Sequence, residues 1–105
     1  MIGYHFRERI SRLYEIGFTR EQITKVVQKG LKFVGKHRDK PNSAILVETL
    51  DSVHYCKDGS NGDEVWIVTQ GGMLATLMLR CSYQEKLPQY FHNVDEVVLG
   101  YENTI

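Results

Sequence analysis

The sequence predicts an α+β domain: an N-terminal helical hairpin packed on a twisted antiparallel sheet of about four strands, with a short C-terminal helix. Three observations carry this. Apolar residues recur at helical spacing up to about residue 30. β-branched and apolar runs bounded by glycine-rich turns follow them. The length, 105 residues, suits one domain with one core. Apolar residues make up 42% and charged residues 25%, which excludes disordered, collagen-like and coiled-coil chains.

The first helix is expected over residues 4–16. Phe6, Ile10 and Leu13 lie at i, i+4 and i+7 and form one apolar stripe. Gly17 follows the last turn, where a helix end favours glycine. Thr19 and Gln22 have the spacing of a capping box, and Phe18 can staple to Ile23 across it. Ile23, Val26 and Val27 supply the buried face of the second helix, and Gly30 is expected to close it. The short linker makes the pair an αα-hairpin.

Leu31–Val34 reads as a short strand and residues 35–42 as a polar loop. Ser43–Leu50 is the next strand, rich in β-branched residues, with a continuation through Val53 to Cys56 past a bulge at Asp51-Ser52. Residues 58–63 form a loop of turn residues. Glu64–Thr69 and Met73–Cys81 pair as a hairpin around Gly71-Gly72, because both glycines tolerate positive φ. Alternation puts Trp66, Val68, Leu77 and Leu79 on one face, and Val65, Ile67, Leu74 and Met78 on the other. Apolar residues on both faces imply cover on both sides. Residues 82–105 form a tail whose helix is capped by Asn93, with Glu96 three residues on and Val94, Val97 and Val98 turned inward.

No run approaches the ~18 apolar residues of a membrane span. The N-terminus is charged from Arg7 and lacks the apolar stretch of a signal peptide, so a cytoplasmic location is expected. Cys56 and Cys81, far apart and outside any CxxC pair, are then expected as free thiols. Lys plus Arg number 13 and Asp plus Glu number 13, which excludes a simple polycationic coat protein. The halves differ, however. Residues 1–40 hold ten basic and four acidic residues, a net of +6, and residues 41–105 hold three and nine, a net of −6. A local anion-binding face, or head-to-tail association, fits that division.

His5, Arg9 and Arg12 fall together on the first helix, beside the apolar stripe. An imidazole there can act as acid or base, and guanidinium groups can hold a phosphate. Such a trio could cleave a phosphodiester with the 2′-hydroxyl as internal nucleophile. Equally, Arg9 and Arg12 can pair with Glu8 and Glu15 on a solvated face. Arg80 ends an apolar strand, on the side of Leu74, Thr76 and Met78, and either reaches a cleft or ends the sheet at solvent. Lys32, Lys36, His37, Arg38 and Lys40 form a basic cluster suited to backbone phosphates or simply to water. His54 reads as structural. His92, Asp95 and Glu96 have a spacing that could present metal ligands, but Asp95 and Glu96 more simply suit the start of the tail helix, so no metal or cofactor is expected. Tyr83, Tyr90, Phe91 and Tyr101 enrich the tail in aromatics, for packing, base stacking or a partner.

Two N-terminal helices followed by a sheet resemble the RelE-like (BECR-fold) ribonuclease-toxin superfamily. The likeness covers about residues 4–80. It rests on His5-Phe6-Arg7-Glu8-Arg9, on Gly17-Phe18-Thr19-Arg20-Glu21-Gln22-Ile23, and on Val65–Thr69 with Leu74–Leu77. His5 and Arg9 match the helix motif of small His-x-x-x-Arg domains in that superfamily, and Arg80 loosely matches a basic residue on a late strand. The resemblance implies RNA binding or metal-independent endoribonuclease activity, with an antitoxin-type protein partner. Arg12, Lys32, Lys36, His37, Arg38 and Lys40 would then hold RNA around a catalytic His5, Arg9 and Arg80. The alternative is a non-enzymatic modulator of phage or plasmid type, which binds a host protein through its acidic, aromatic C-terminal part. A homodimer fits either reading.

Overall fold

The computed structural model describes residues 2–39, 42–50, 54–56, 62–81 and 94–99. Helix α1 spans Tyr4–Ile16 and α2 spans Arg20–His37. Strands β1 (Ser43–Leu50), β2 (Asp63–Gln70), β3 (Met73–Cys81) and β4 (Glu96–Leu99) form one sheet in the order β3-β2-β1-β4. The α+β architecture expected from the sequence is present, with both helices on one face of the sheet.

The helical hairpin forms as its residues dictate. The Gly17 and Phe18 amides donate back to the Leu13 carbonyl, with Gly17 at φ 120°. Thr19 and Gln22 exchange both capping-box hydrogen bonds. Phe6 and Leu13 are fully buried, and Phe18 and Ile23 nearly so. Burial of each contributes roughly 1.5–3 kcal/mol.

The second helix does not stop at Gly30, and the short strand expected over Leu31–Val34 is helical. The buried stripe Ile23, Val26, Gly30, Phe33, Val34 and His37 keeps helical spacing throughout. Gly30 is a contact point rather than a stop: a β-carbon there would lie 3.0 Å from Leu74 Cδ2 and 3.2 Å from Ile67 Cγ2. The glycine therefore lets α2 approach β2 and β3 closely.

β1 pairs antiparallel with β2, and β2 with β3. Gly71 and Gly72 both have positive φ, 56° and 77°, as a two-residue hairpin turn of this hand requires. One bulge corrects the faces expected from alternation. Val68 pairs with Thr76 but Thr69 with Leu74, so Ala75 is an extra residue. Leu77 and Leu79 consequently oppose Ile67 and Val65, and Met78 opposes Trp66. Val65, Ile67, Leu74 and Leu77 join the helix-side core, while Ile45, Val47, Trp66 and Val68 form a second buried cluster on the far face.

The sheet is mixed, since β4 runs parallel to β1. Residues 96–99, placed in a tail helix by sequence, are strand. Two consecutive valines followed by leucine suit a strand, and β1 offers an open edge to pair with. The expected cap Asn93, the bulge at Asp51-Ser52 and most of the 58–63 loop lie outside the described residues. His54 and Tyr55 form a bend and do not extend β1.

That bend is tied down by Asp63, which belongs to β2 and is completely buried. Its carboxylate accepts from the amides of His54 (2.6 Å), Tyr55 (3.0 Å) and Cys56 (2.7 Å). Cys56 is disulfide-bonded, contrary to the free thiol expected. The chain's other cysteine, Cys81, stands opposite Asp63 in the β2–β3 register. The Asp63 anchor thus carries Cys56 to the end of β3, a proximity that sequence distance conceals.

Asp63→Ala should lower unfolding free energy by about 3 kcal/mol or more, since three hydrogen bonds to a charged group are removed together. A urea denaturation midpoint within error of wild type would contradict this. Gly30→Val should cost about 1–3 kcal/mol despite its better helix propensity, because its side chain would enter the space filled by Leu74 and Ile67. Thermal unfolding measures it, and a raised melting temperature would be the contrary result.

Candidate nucleic-acid interface

The basic shoulder of α1 is exposed. His5 Nδ1 lies 3.5 Å from Glu8 Oε1, with the imidazole side chain 79% accessible and its ring edge-on to Tyr4. Arg12 pairs at 3.8 Å with Glu15, both well exposed. Surface pairs of this kind contribute at most about 1 kcal/mol, so they leave the guanidinium group available to a ligand.

Arg9 and Arg12 line a groove of about 220 Å³ between α1 and β3. Leu13 and Ile16 line it from the helix, Leu77–Arg80 from the strand, and Tyr55 from the 54–56 bend. Arg9, Arg12 and Arg80 are therefore brought together. His5 is not in this groove. It lines an adjoining depression with Glu8, Arg9, Arg12 and Glu15, about one helical turn from Arg9 and two from Arg12.

Arg80 reaches the groove from an unexpected side. The bulge puts it on the face opposite the helices, with Glu64, Trp66 and Met78, and not on the side of Leu74. Its guanidinium carbon sits 5.4 Å from the Trp66 ring centroid, a cation–π distance, and it donates to the Leu79 carbonyl at 3.0 Å. These contacts hold a half-buried arginine in one orientation beside the groove.

The second basic cluster is divided by the continuation of α2. Lys32 and Lys36 are exposed on the helix, and Arg38 is exposed at its C-cap near Gly72. His37 is only 7% accessible. Its ring packs against Phe33 at 4.4 Å, and Nε2 lies 3.4 Å from Glu96 on β4. The expected basic loop is thus a helical face, with its histidine turned into the core. Lys40 lies outside the described residues, as do His92 and the tail aromatics Tyr83, Tyr90, Phe91 and Tyr101. Asp95 accepts from Asn42 at 3.0 Å. His54 is structural: its ring meets Phe18 edge-on at 4.9 Å and its amide donates to Asp63.

Tyr55 and the strand backbone at Leu77–Leu79 were not among the candidates from sequence. Tyr55 reaches the groove only because Asp63 anchors its amide. That contact links residues with no local pattern in common.

On the far face, Glu64 is 7% accessible and directly opposite Arg80. Burial pushes its carboxyl above the ordinary carboxylate range, opposed in part by the neighbouring Trp66 indole N–H.

No protein-family model matches the chain, and no curated protein or solved structure is significantly similar to it.

The Glu64 shift sets a pH dependence. In the unfolded chain this carboxyl ionises near pH ~4.3, whereas the folded protein retains its proton to higher pH. The folded state thus binds more protons, and stability falls as pH rises through that window. Glu64→Gln keeps an acceptor for the indole and removes the charge. Its stability gain over wild type should be absent in acid and grow towards neutral pH. A gain that is the same at all pH values in urea titrations would refute the assignment.

Proposed function

We propose that this protein binds RNA through its phosphate backbone, along the exposed face of α1. The observation that carries the reading is that Arg9 and Arg12, both exposed on α1, line one groove whose β3 wall ends at Arg80. Guanidinium groups are planar, permanently charged donors that bind phosphate oxygens in pairs. Lys32, Lys36 and Arg38 extend the basic surface along α2 and its C-cap. Contacts of this kind position a strand without reading its sequence. The RelE-like resemblance of the His5–Arg9 motif supports the same choice of ligand.

Cleavage is a narrower proposal and rests on the His5–Glu8 pair. A carboxylate at Nδ1 orients an imidazole so that Nε2 faces outward, where it can take a proton from a 2′-hydroxyl. His5 is next to Arg9, so a phosphate held by Arg9 lies within a helical turn of it.

Binding of a labelled single-stranded RNA should weaken linearly in log–log terms with added salt. Arg9→Ala and Arg12→Ala should each reduce the slope by about 0.7 for every phosphate left without its guanidinium partner, whereas Arg7→Ala, outside the groove, should not. Salt-independent binding, or equal effects of all three substitutions, would overturn the phosphate-contact reading. Incubation of total RNA with and without EDTA, against His5→Ala, tests cleavage separately. RNA left intact by wild type would end that claim and leave the binding claim standing.

A further inference from the structure

Resting on the RNA reading above, we infer that Tyr55 and the apolar floor of the groove between α1 and β3 form a subsite for one unpaired base of the bound RNA, so that the ligand is a single strand and not a duplex.

The groove is not a uniformly polar surface. Leu13 is completely buried and Leu77 only 1% accessible, yet both line it, so they form its floor. Arg9 and Arg12 are exposed and stand at its α1 rim. Tyr55, 47% accessible, is the only aromatic residue among the described residues that line it. A phosphate gains nothing from an apolar floor, because its charge must stay hydrated or paired. A nucleobase does gain, since its flat face stacks on aromatic and apolar groups. The groove, about 220 Å³, is smaller than the ~300–1,000 Å³ of sites that enclose a drug-sized ligand. It suits one planar ring, with the ribose and phosphate left at the arginine rim.

Tyr55 is also held ready for such a contact. Its amide donates to the Asp63 carboxylate at 3.0 Å, between the amides of His54 and Cys56, which bond to the same buried group. On one side the His54 ring packs edge-on against Phe18, and on the other Cys56 is only 2% accessible. Both neighbours are thus built into the structure, while the tyrosine between them stays half-exposed at the groove. A ring on an anchored bend loses little freedom when a base stacks on it. Stacking of this kind tolerates any base, because every base has a π-face. It does require a base released from its neighbours, and inside a duplex both faces of each base are already stacked. Cations that track the backbone beside an aromatic platform are the combination that holds single-stranded nucleic acid.

The test measures binding of the full-length protein to three labelled ligands by fluorescence anisotropy. They are a short single-stranded RNA, the same strand paired with its complement, and a ribose–phosphate chain of equal length without bases. The single strand should bind roughly tenfold more tightly than the base-free chain. Tyr55→Ala should weaken single-strand binding roughly tenfold and leave its salt slope unchanged, because no phosphate contact is removed. The same substitution should not affect the duplex or the base-free chain, and Tyr55→Phe, which keeps the ring, should bind as wild type does. Full affinity in Tyr55→Ala would overturn the base subsite, as would a duplex or base-free chain bound as tightly as the single strand. The ligand comparison uses wild type alone, so it decides the matter even if Tyr55→Ala fails to fold. Those contrary results, with salt slopes that still depend on Arg9 and Arg12, would leave the phosphate-contact reading standing. Salt-independent binding that Tyr55→Ala abolishes would refute that reading and keep the subsite, and no RNA binding at all would overturn both.

Discussion

Strand β2 has almost no solvent face, and the arrangement of the molecule follows from that. Every residue from Asp63 to Thr69 is buried, whichever side of the sheet it points to. A strand buried on both sides must be central, so β1 and β3 flank it. Its even-numbered apolar residues, Trp66 and Val68, need cover on the far face, and Val65 and Ile67 need the helices. Its polar residues must be satisfied internally. Asp63 accepts three backbone amides, and the Thr69 hydroxyl donates to the Ala44 carbonyl at 3.3 Å.

The flanking elements adjust to this strand. An uninterrupted hairpin would leave Leu74 opposite Thr69 on the helix side but set Leu77 opposite Trp66 on the far face. The extra residue at Ala75 turns Leu77 inward, so Leu74 and Leu77 both join the helix-side core. The same change sends Arg80 to the Trp66 face, where a cation over an indole replaces what would have been a charge beneath a helix. Helix α2 adjusts by omitting a side chain at Gly30, where it meets Leu74 and Ile67.

Local signals were legible in the sequence where local physics decides the outcome. The extent of α1, the capping box at Thr19, the diglycine hairpin and the strand Ser43–Leu50 are all set by neighbours a few residues apart. The misread elements are those in which a distant contact prevails. Gly30 carries a weak intrinsic stop signal, overridden by the burial of Phe33 and Val34 further along the same helix. Val97 and Val98 are compatible with either a helix or a strand, and the open edge of β1 decides between them. The candidate site was legible to the same degree. Arg9 and Arg12 follow from helical spacing, whereas Arg80 and Tyr55 depend on a bulge and on a buried carboxylate that alternation does not reveal.

The balance of charge has a different meaning in three dimensions. The basic residues cluster in the helical layer, and the acidic residues described in the sheet are largely taken up inside the molecule. Glu48 meets Lys29 across the α2–β1 contact at 2.8 Å, with both side chains largely buried. Asp63 is enclosed by amides, Glu64 sits beside the Trp66 indole, and Glu96 lies against His37. Each of these carboxylates sits against a partner of its own in the sheet, α2 or the 54–56 bend, and among the described residues none forms an ion pair with a guanidinium of α1. Arg7 and Arg9 are exposed without an ion pair among the described residues, and Arg12 has only a solvated one. A chain whose formal charges cancel thus presents a basic flank along its first helix.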